Sequence, residues 1–273
     1  MLALGWLYDV MIYMYALSVL FYFADFLSSN QRANRVAFWL LAVVWGMQTA
    51  FFMFSMLEKD YFPVLTLFET LFFYSWILVT LSLILNYFFK MDLFVFFTNV
   101  IGFSVLALNL FASHDTSPVV TEQLTSKLLF IHITMALLSY GAFSLSFIFS
   151  MMYLIQNKML KKKQWTPLLR RLPSLDQLEL FSFRLNVIGI PILLLSLILG
   201  IIWATVKVPG PFWYDPKVLM SLIVLFAFGF SLYQRITSRW MGKKLALWNI
   251  VAFTTVLLNY LVSGLYSSFH LWF

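Results

Sequence analysis

Apolar residues run through this chain in eight long stretches separated by short polar intervals, and that pattern sets the expected architecture. The stretches cover approximately Tyr8 to Leu27, Val36 to Leu57, Val64 to Tyr87, Leu93 to Ala112, Leu128 to Leu154, Leu185 to Val206, Val218 to Arg235 and Leu245 to Ser268. A hydrocarbon core of about 30 Å is crossed by a helix of roughly 20 residues, so each stretch reads as a transmembrane helix. The expectation is an all-α, polytopic integral membrane protein of eight spans, forming a single domain over residues 1–273. Gly189 and Pro191 fall inside the sixth stretch, where a kink is expected.

Composition agrees with the pattern. With 62% hydrophobic and 11% charged residues, the chain lacks the polar surface that a soluble globule needs. The charges that remain are sorted by side. Of 18 lysines and arginines, Lys59, Lys127, Lys207 and Lys217 fall in one set of alternate connections and all the others in the opposite set. The larger set marks the cytoplasmic side, which places both termini outside. The net charge of +7 therefore reads as a topology signal and an affinity for anionic lipid, since such short loops offer no folded basic surface for nucleic acid. No basic residue precedes the first stretch, Asp9 stands at its start, and its apolar run exceeds that of a signal peptide, so it is expected to stay as a span. Cysteine is absent, which excludes disulfides and thiolate ligands.

Polar chemistry collects at the outer ends of the stretches. In the fifth, His132, Ala136, Ser139, Phe143, Ser146 and Ser150 recur at intervals of three or four, a mostly small or polar face suited to close helix packing. The eighth repeats the device with Asn259, Ser263, Tyr266, Ser267 and His270. A lone intramembrane histidine is more often a packing or proton-pathway residue than a ligand. Two at matching depth point to a metal held between them. His114 lies among Asp115, Thr116, Ser117 and Pro118 and reads as solvated. Glu69 sits about two turns below the outer end of the third stretch, either bonded between helices or part of a site. Asp25 and Arg184, near the cytoplasmic ends, are expected to reach water or each other.

Three segments carry a family resemblance. Gly200 to Ala204 followed by Phe212, Trp213, Tyr214, Asp215, Pro216 and Lys217 resembles the tryptophan-rich haem-handling loop of the cytochrome c assembly superfamily, of the CcsA and CcmC types. Here Pro209 and Gly210 replace the family's usual Trp-Gly, its second Trp-x-Trp-Asp is shortened to Trp213, Tyr214, Asp215, and Asp-Pro-Lys stands unaltered. Phe62 to Leu71 is similar to the CcsA segment in which a proline precedes an Asn-Leu-Tyr-Glu-Ser run, with Thr66 and Phe68 in place of Asn and Tyr and with Glu69 kept. His132 to Tyr140 resembles the segment bearing the first external haem-ligating histidine. The order of these elements and the eight-span layout look closest to the HemX branch.

The resemblance implies a multi-pass protein of the bacterial plasma membrane that holds haem, non-covalently and of b type, at the outer leaflet. His132 and His270 are its implied ligands, with Tyr266 as the alternative second ligand, because in CcsA proteins that ligand follows Asn and Gly-Leu, here Asn259 and Gly264, Leu265. Trp203, Phe212, Trp213 and Tyr214 would cover the porphyrin, Lys207 and Lys217 would pair with its propionates, and Asp215 would orient the loop or a ligand. Some of the aromatics would be expected at a membrane interface in any case. Implied partners are cytochrome c assembly components or a cytoplasmic haem-synthesis enzyme.

Nothing resembles a nucleophile with its base or a phosphate-cradling loop, so no enzymatic activity is expected. The resemblance to the HemX branch also implies an alternative, a membrane regulator of tetrapyrrole metabolism lowering glutamyl-tRNA reductase levels, with a vestigial outer site. It would act through the basic connection Gln156 to Phe183, which holds Lys158, Lys161, Lys162, Lys163, Trp165, Arg170 and Arg171 and otherwise reads as a topogenic cluster on the headgroups. A transporter is disfavoured by the scarcity of charge at mid-membrane.

Overall fold

The computed structural model describes residues 2–59, 61–89, 91–109, 127–207 and 212–266. These form α1 (Leu2–Ser28), α2 (Gln31–Lys59), α3 (Leu67–Phe89), α4 (Asp92–Leu108), α5 (Lys127–Lys161), α6 (Pro167–Arg171), α7 (Leu175–Lys207), a 3-10 turn (Phe212–Tyr214), α8 (Pro216–Thr237) and α9 (Lys243–Tyr266), with no strand among the described residues. Every apolar stretch becomes a helix. Among the described residues seven helices are long and apolar enough to cross a membrane, and the fourth stretch forms the shorter α4. The protein is an all-α polytopic membrane protein. α7 runs unbroken through Pro191.

The chain separates into two compact units. Unit 1 comprises Met1–Asp115 and Thr166–Leu172, and unit 2 comprises Thr116–Trp165 and Pro173–Phe273. In unit 1, α1 packs on α2 and α4, and α3 packs on α4. The buried face of α1 is read from Tyr8, Met11, Tyr15, Ser18, Tyr22 and Asp25, spaced by three or four. Tyr8, Tyr15, Ser18 and Asp25 of that stripe find partners inside the unit, because lipid supplies none, while the buried Tyr22 hydroxyl has none among the described residues. Tyr15 donates to Asn99 Oδ1 at 2.9 Å, and Asn99 Nδ2 donates to Ser82 Oγ at 3.0 Å. Gly102 makes room for this: a Cβ there would lie 2.5 Å from the Tyr15 hydroxyl oxygen.

Asp25, expected at water or Arg184, has its ion pair elsewhere. It is 3% exposed and takes its ion pair from Arg171, while Asn34 Nδ2 donates to the same carboxylate oxygen at 3.0 Å. Arg171 also donates to the Asp25 backbone carbonyl at 3.1 Å, so the short α6 is pinned in unit 1 by its last residue. Arg184 is exposed on α7.

Unit 2 is built around α5 against α7, with α9 packing on α8 and α5. Its centre is an aromatic layer in which Phe143 and Phe228 stack at 3.8 Å between centroids. Gly189 admits the Phe143 ring, which would lie 2.7 Å from a Cβ at that position. On the basic side of this layer Asn249 Nδ2 donates to Ser182 Oγ at 2.7 Å and to Ser150 Oγ at 3.2 Å, and Asn186 Nδ2 donates to Asn249 Oδ1 at 3.0 Å. On the other side Asn259 Nδ2 donates to Tyr140 Oη at 2.9 Å and Ser221 Oγ at 3.3 Å, tying α5, α8 and α9 together.

Candidate functional site

His132 lies in the second turn of α5, at the end of unit 2 opposite the lysine-rich terminus of the same helix. Its ring occupies a notch in α7 made by Ser196 and Gly200, one turn apart. A Cβ at position 200 would lie 2.6 Å from His132 Cε1 and 2.7 Å from Nδ1, so only glycine leaves the ring its place. His132 Nδ1 is 2.6 Å from the Ser196 carbonyl oxygen, and Ser196 Oγ donates to the His132 carbonyl at 2.8 Å. The hydroxyl proton is thereby engaged, although Oγ also lies 3.1 Å from Nδ1. A ring nitrogen this close to a carbonyl must carry the proton, which leaves the lone pair on Nε2.

Trp203 stands one turn beyond Gly200 and is 9% exposed. Its indole Nε1 is buried with no acceptor among the described residues. Lys207 ends α7, exposed to solvent. Across the connection, Phe212 is buried and stacks on Trp213 with centroids 4.9 Å apart, while Trp213 and Tyr214 are exposed. Asp215 is the N-cap of α8: its Oδ1 accepts the Lys217 backbone N–H at 2.8 Å, and Pro216 fills the first helical position. The Asp-Pro-Lys run is thus a helix-start device that fixes where the aromatic turn ends. The Lys217 ammonium is within electrostatic range of both the Asp215 carboxylate and the His132 ring. Tyr266 closes α9 and is exposed. His270, Pro209, Gly210 and His114 lie outside the described residues.

The structure therefore gathers His132, Trp203, Lys207, Phe212, Trp213, Tyr214, Asp215, Lys217 and Tyr266 at one end of unit 2. Sequence reasoning passed over Ser196, whose small side chain four residues before Gly200 was the available signal. Among the described residues no three histidines, cysteines or carboxylates gather as a metal cluster.

Glu69 belongs to unit 1, where it completes a capping box at the start of α3. Its backbone N–H donates to Thr66 Oγ1 at 3.1 Å, and its Oε2 accepts from the backbone N–H groups of Thr66 at 3.1 Å and Leu65 at 2.8 Å. Oε1 takes Lys59 Nζ at 2.6 Å and the Tyr61 hydroxyl at 3.1 Å. Burial, and then the Glu69 charge, push the Tyr61 phenol well above its ordinary value. Both oxygens of this 4%-exposed side chain are fully engaged.

Comparison with known proteins follows the same geography. The family model described as cytochrome C assembly protein matches residues 64–271, which takes in Glu69, His132 and the aromatic turn. The chain is 54% identical over 267 residues to Protein HemX of Brevibacillus brevis, covering 98% of each chain. It is 51% identical over 263 residues to Protein HemX of Bacillus subtilis, covering 96% of this chain and 95% of that one. It is also 27% identical over 272 residues to cytochrome c biogenesis protein CcsA of Gloeobacter violaceus, covering 77% of this chain and 79% of that one. With its apolar helices, these relatives make it a multi-pass protein of the bacterial plasma membrane.

Proposed function

Since the chain belongs to the cytochrome c assembly protein family, we propose that it is a haem-handling membrane protein that holds haem at the end of unit 2 opposite the basic helix terminus. The observation that carries the reading is the His132 ring, pinned through Nδ1 to the Ser196 carbonyl with Nε2 kept as the electron-pair donor. Ligating histidines are oriented in this way, by an outer partner on the second nitrogen. A porphyrin brings four nitrogens to its iron, so the protein needs to supply only one or two axial ligands and no metal cluster of its own.

The neighbours suit such a guest. Trp203 offers a buried indole N–H donor and a flat apolar surface. Phe212 and Trp213 add a stacked aromatic wall, Lys207 and Lys217 suit propionates, and Asp215 fixes the wall to α8. The second axial ligand is His270 or Tyr266. Glu69 acts on this reading through the shape of unit 1. The role is that of a carrier that breaks no bond, with haem bound non-covalently and cytochrome c assembly components as its partners.

The test is the absorption spectrum of the detergent-purified protein supplied with haem. The expected result is a low-spin Soret band that His132→Ala removes. A colourless wild type overturns the proposal. A second reading rests on the exposed Lys161, Lys162, Lys163 and Trp165 of unit 2, as a surface through which a cytoplasmic haem-synthesis enzyme such as glutamyl-tRNA reductase is kept low. Replacing the three lysines with glutamine would then raise that enzyme's abundance while leaving the Soret band intact.

A further inference from the structure

At the basic end of unit 2, α8 and α9 are joined by the five-residue turn Ser238–Gly242. Both helices are long and apolar enough to span, so a turn this short lies at the level of the lipid headgroups. It is tightly constructed. Glu179 of α7 pairs with Arg235 through Oε1 and accepts the Gly242 N–H through Oε2 at 2.8 Å, while Arg235 donates to the Trp240 carbonyl at 3.1 Å. The Trp240 N–H reaches back to the Gln234 carbonyl at 3.2 Å, and its ring packs edge-on against Phe230 and Trp248. Arg239 is held at φ 50, a left-handed conformation that disfavours a residue with a Cβ, and Gly242 at φ 64 lies under the Tyr153 hydroxyl.

The turn presents Arg239, Lys243 and Lys244, all exposed, beside exposed Ile236 and Met241. Of the two carboxylates facing this end from α7, Glu179 is already occupied by Arg235 and Gly242, and Asp176 stands exposed. A tightly bonded turn that carries one arginine and two lysines next to an apolar edge suits a molecule with an anionic head and a hydrocarbon tail.

We propose that this turn binds an anionic phospholipid, with Arg239, Lys243 and Lys244 on the phosphate headgroup and Ile236 and Met241 along the start of the acyl chain. The site is independent of the haem reading and lies at the other end of unit 2.

Native mass spectrometry of the full chain in detergent, titrated with phosphatidylglycerol or phosphatidylcholine, tests it. The wild type is expected to retain phosphatidylglycerol in preference to phosphatidylcholine. The combined Arg239→Gln, Lys243→Gln, Lys244→Gln variant loses that preference by about tenfold or more, as three headgroup charges would require. Removing the same charge at Lys161, Lys162 and Lys163 takes away only diffuse attraction to anionic headgroups and lowers the preference clearly less than the turn variant does. Equal losses in the two triple variants would reduce the site to diffuse charge and overturn the proposal. So would displacement of the lipid by millimolar inorganic phosphate, which would mark a free-anion site. Glu179→Gln separates the ideas further, since it makes this end more positive while loosening the turn. Weaker phosphatidylglycerol retention supports the scaffolded site, and tighter retention overturns it.

Discussion

Glu69 in unit 1 and His132 in unit 2 are both polar side chains set near one end of an apolar helix, yet they are bonded in opposite ways. Glu69 has every oxygen engaged: two backbone N–H groups on one, a lysine and a tyrosine on the other. His132 has one nitrogen tied to a backbone carbonyl and the other kept as a base. A buried group whose bonding capacity is exhausted locally holds structure. One that is half satisfied and rigidly aimed is equipped to take a ligand.

The largest effect that sharpens this contrast comes from exchanging the two losses. Glu69→Ala strands the two amide donors, removes the cap and leaves Lys59 without its partner, so thermal stability in detergent is expected to fall by about 2–4 kcal/mol. Haem added to the surviving folded protein should still give the Soret band. His132→Ala should do the reverse, losing the band at a stability cost of about 1–2 kcal/mol for the ring's packing and its one bond, smaller than that of Glu69→Ala. If Glu69→Ala abolishes the band in folded protein, the contrast collapses.

Next in size is a pair of glycine substitutions. Gly200→Ala drives a methyl into the His132 ring, and haem affinity measured by titration is expected to drop about tenfold, as a displaced ligand would require. Gly46→Ala on α2, with nothing within 4 Å of its added Cβ, should leave both affinity and melting temperature unchanged or slightly raised. Smaller still are the buried amides. Asn99→Leu in unit 1 removes one interhelical bond that Asn99 donates and one that it accepts, Asn249→Leu in unit 2 removes two that it donates and one that it accepts, and each should cost about 1–2 kcal/mol in a denaturant titration without changing the spectrum. Smallest is Ser196→Ala, which deletes the hydroxyl bond to the His132 carbonyl but keeps the backbone carbonyl that orients the ring. About 0.6 kcal/mol and an unshifted Soret maximum are expected.

The apolar pattern located every long helix because the bilayer imposes it, and it missed the short α6 in the basic connection; hydropathy reports the membrane and not the end of the helix. The stretch read as Leu128 to Leu154 is α5 over Lys127–Lys161, since a polar, basic turn remains helical once it has left the lipid. Glu69 was read for its depth, whereas its spacing from Thr66 carried the message: Thr-x-x-Glu ahead of an apolar run is a capping box. The partner of Asp25 was illegible for a different reason. Arg171 lies in a distant connection, and nothing in local periodicity distinguishes it from Arg170 or Arg184. At the candidate site the histidine and aromatic turn stood out as chemical oddities in an apolar chain. Ser196 and Gly200 did not, because a notch is made by what side chains lack, and small residues in a membrane helix have many uses.

α5 carries its own consequence for how the protein is wired. One continuous rod bears the pinned imidazole near its start and the Lys161 to Lys163 cluster at its far end, about 44 Å away at 1.5 Å per residue. The imidazole bonded to Ser196 and the basic terminus at Lys161 thus share one rigid element, so neither can be repositioned without the helix that carries the other.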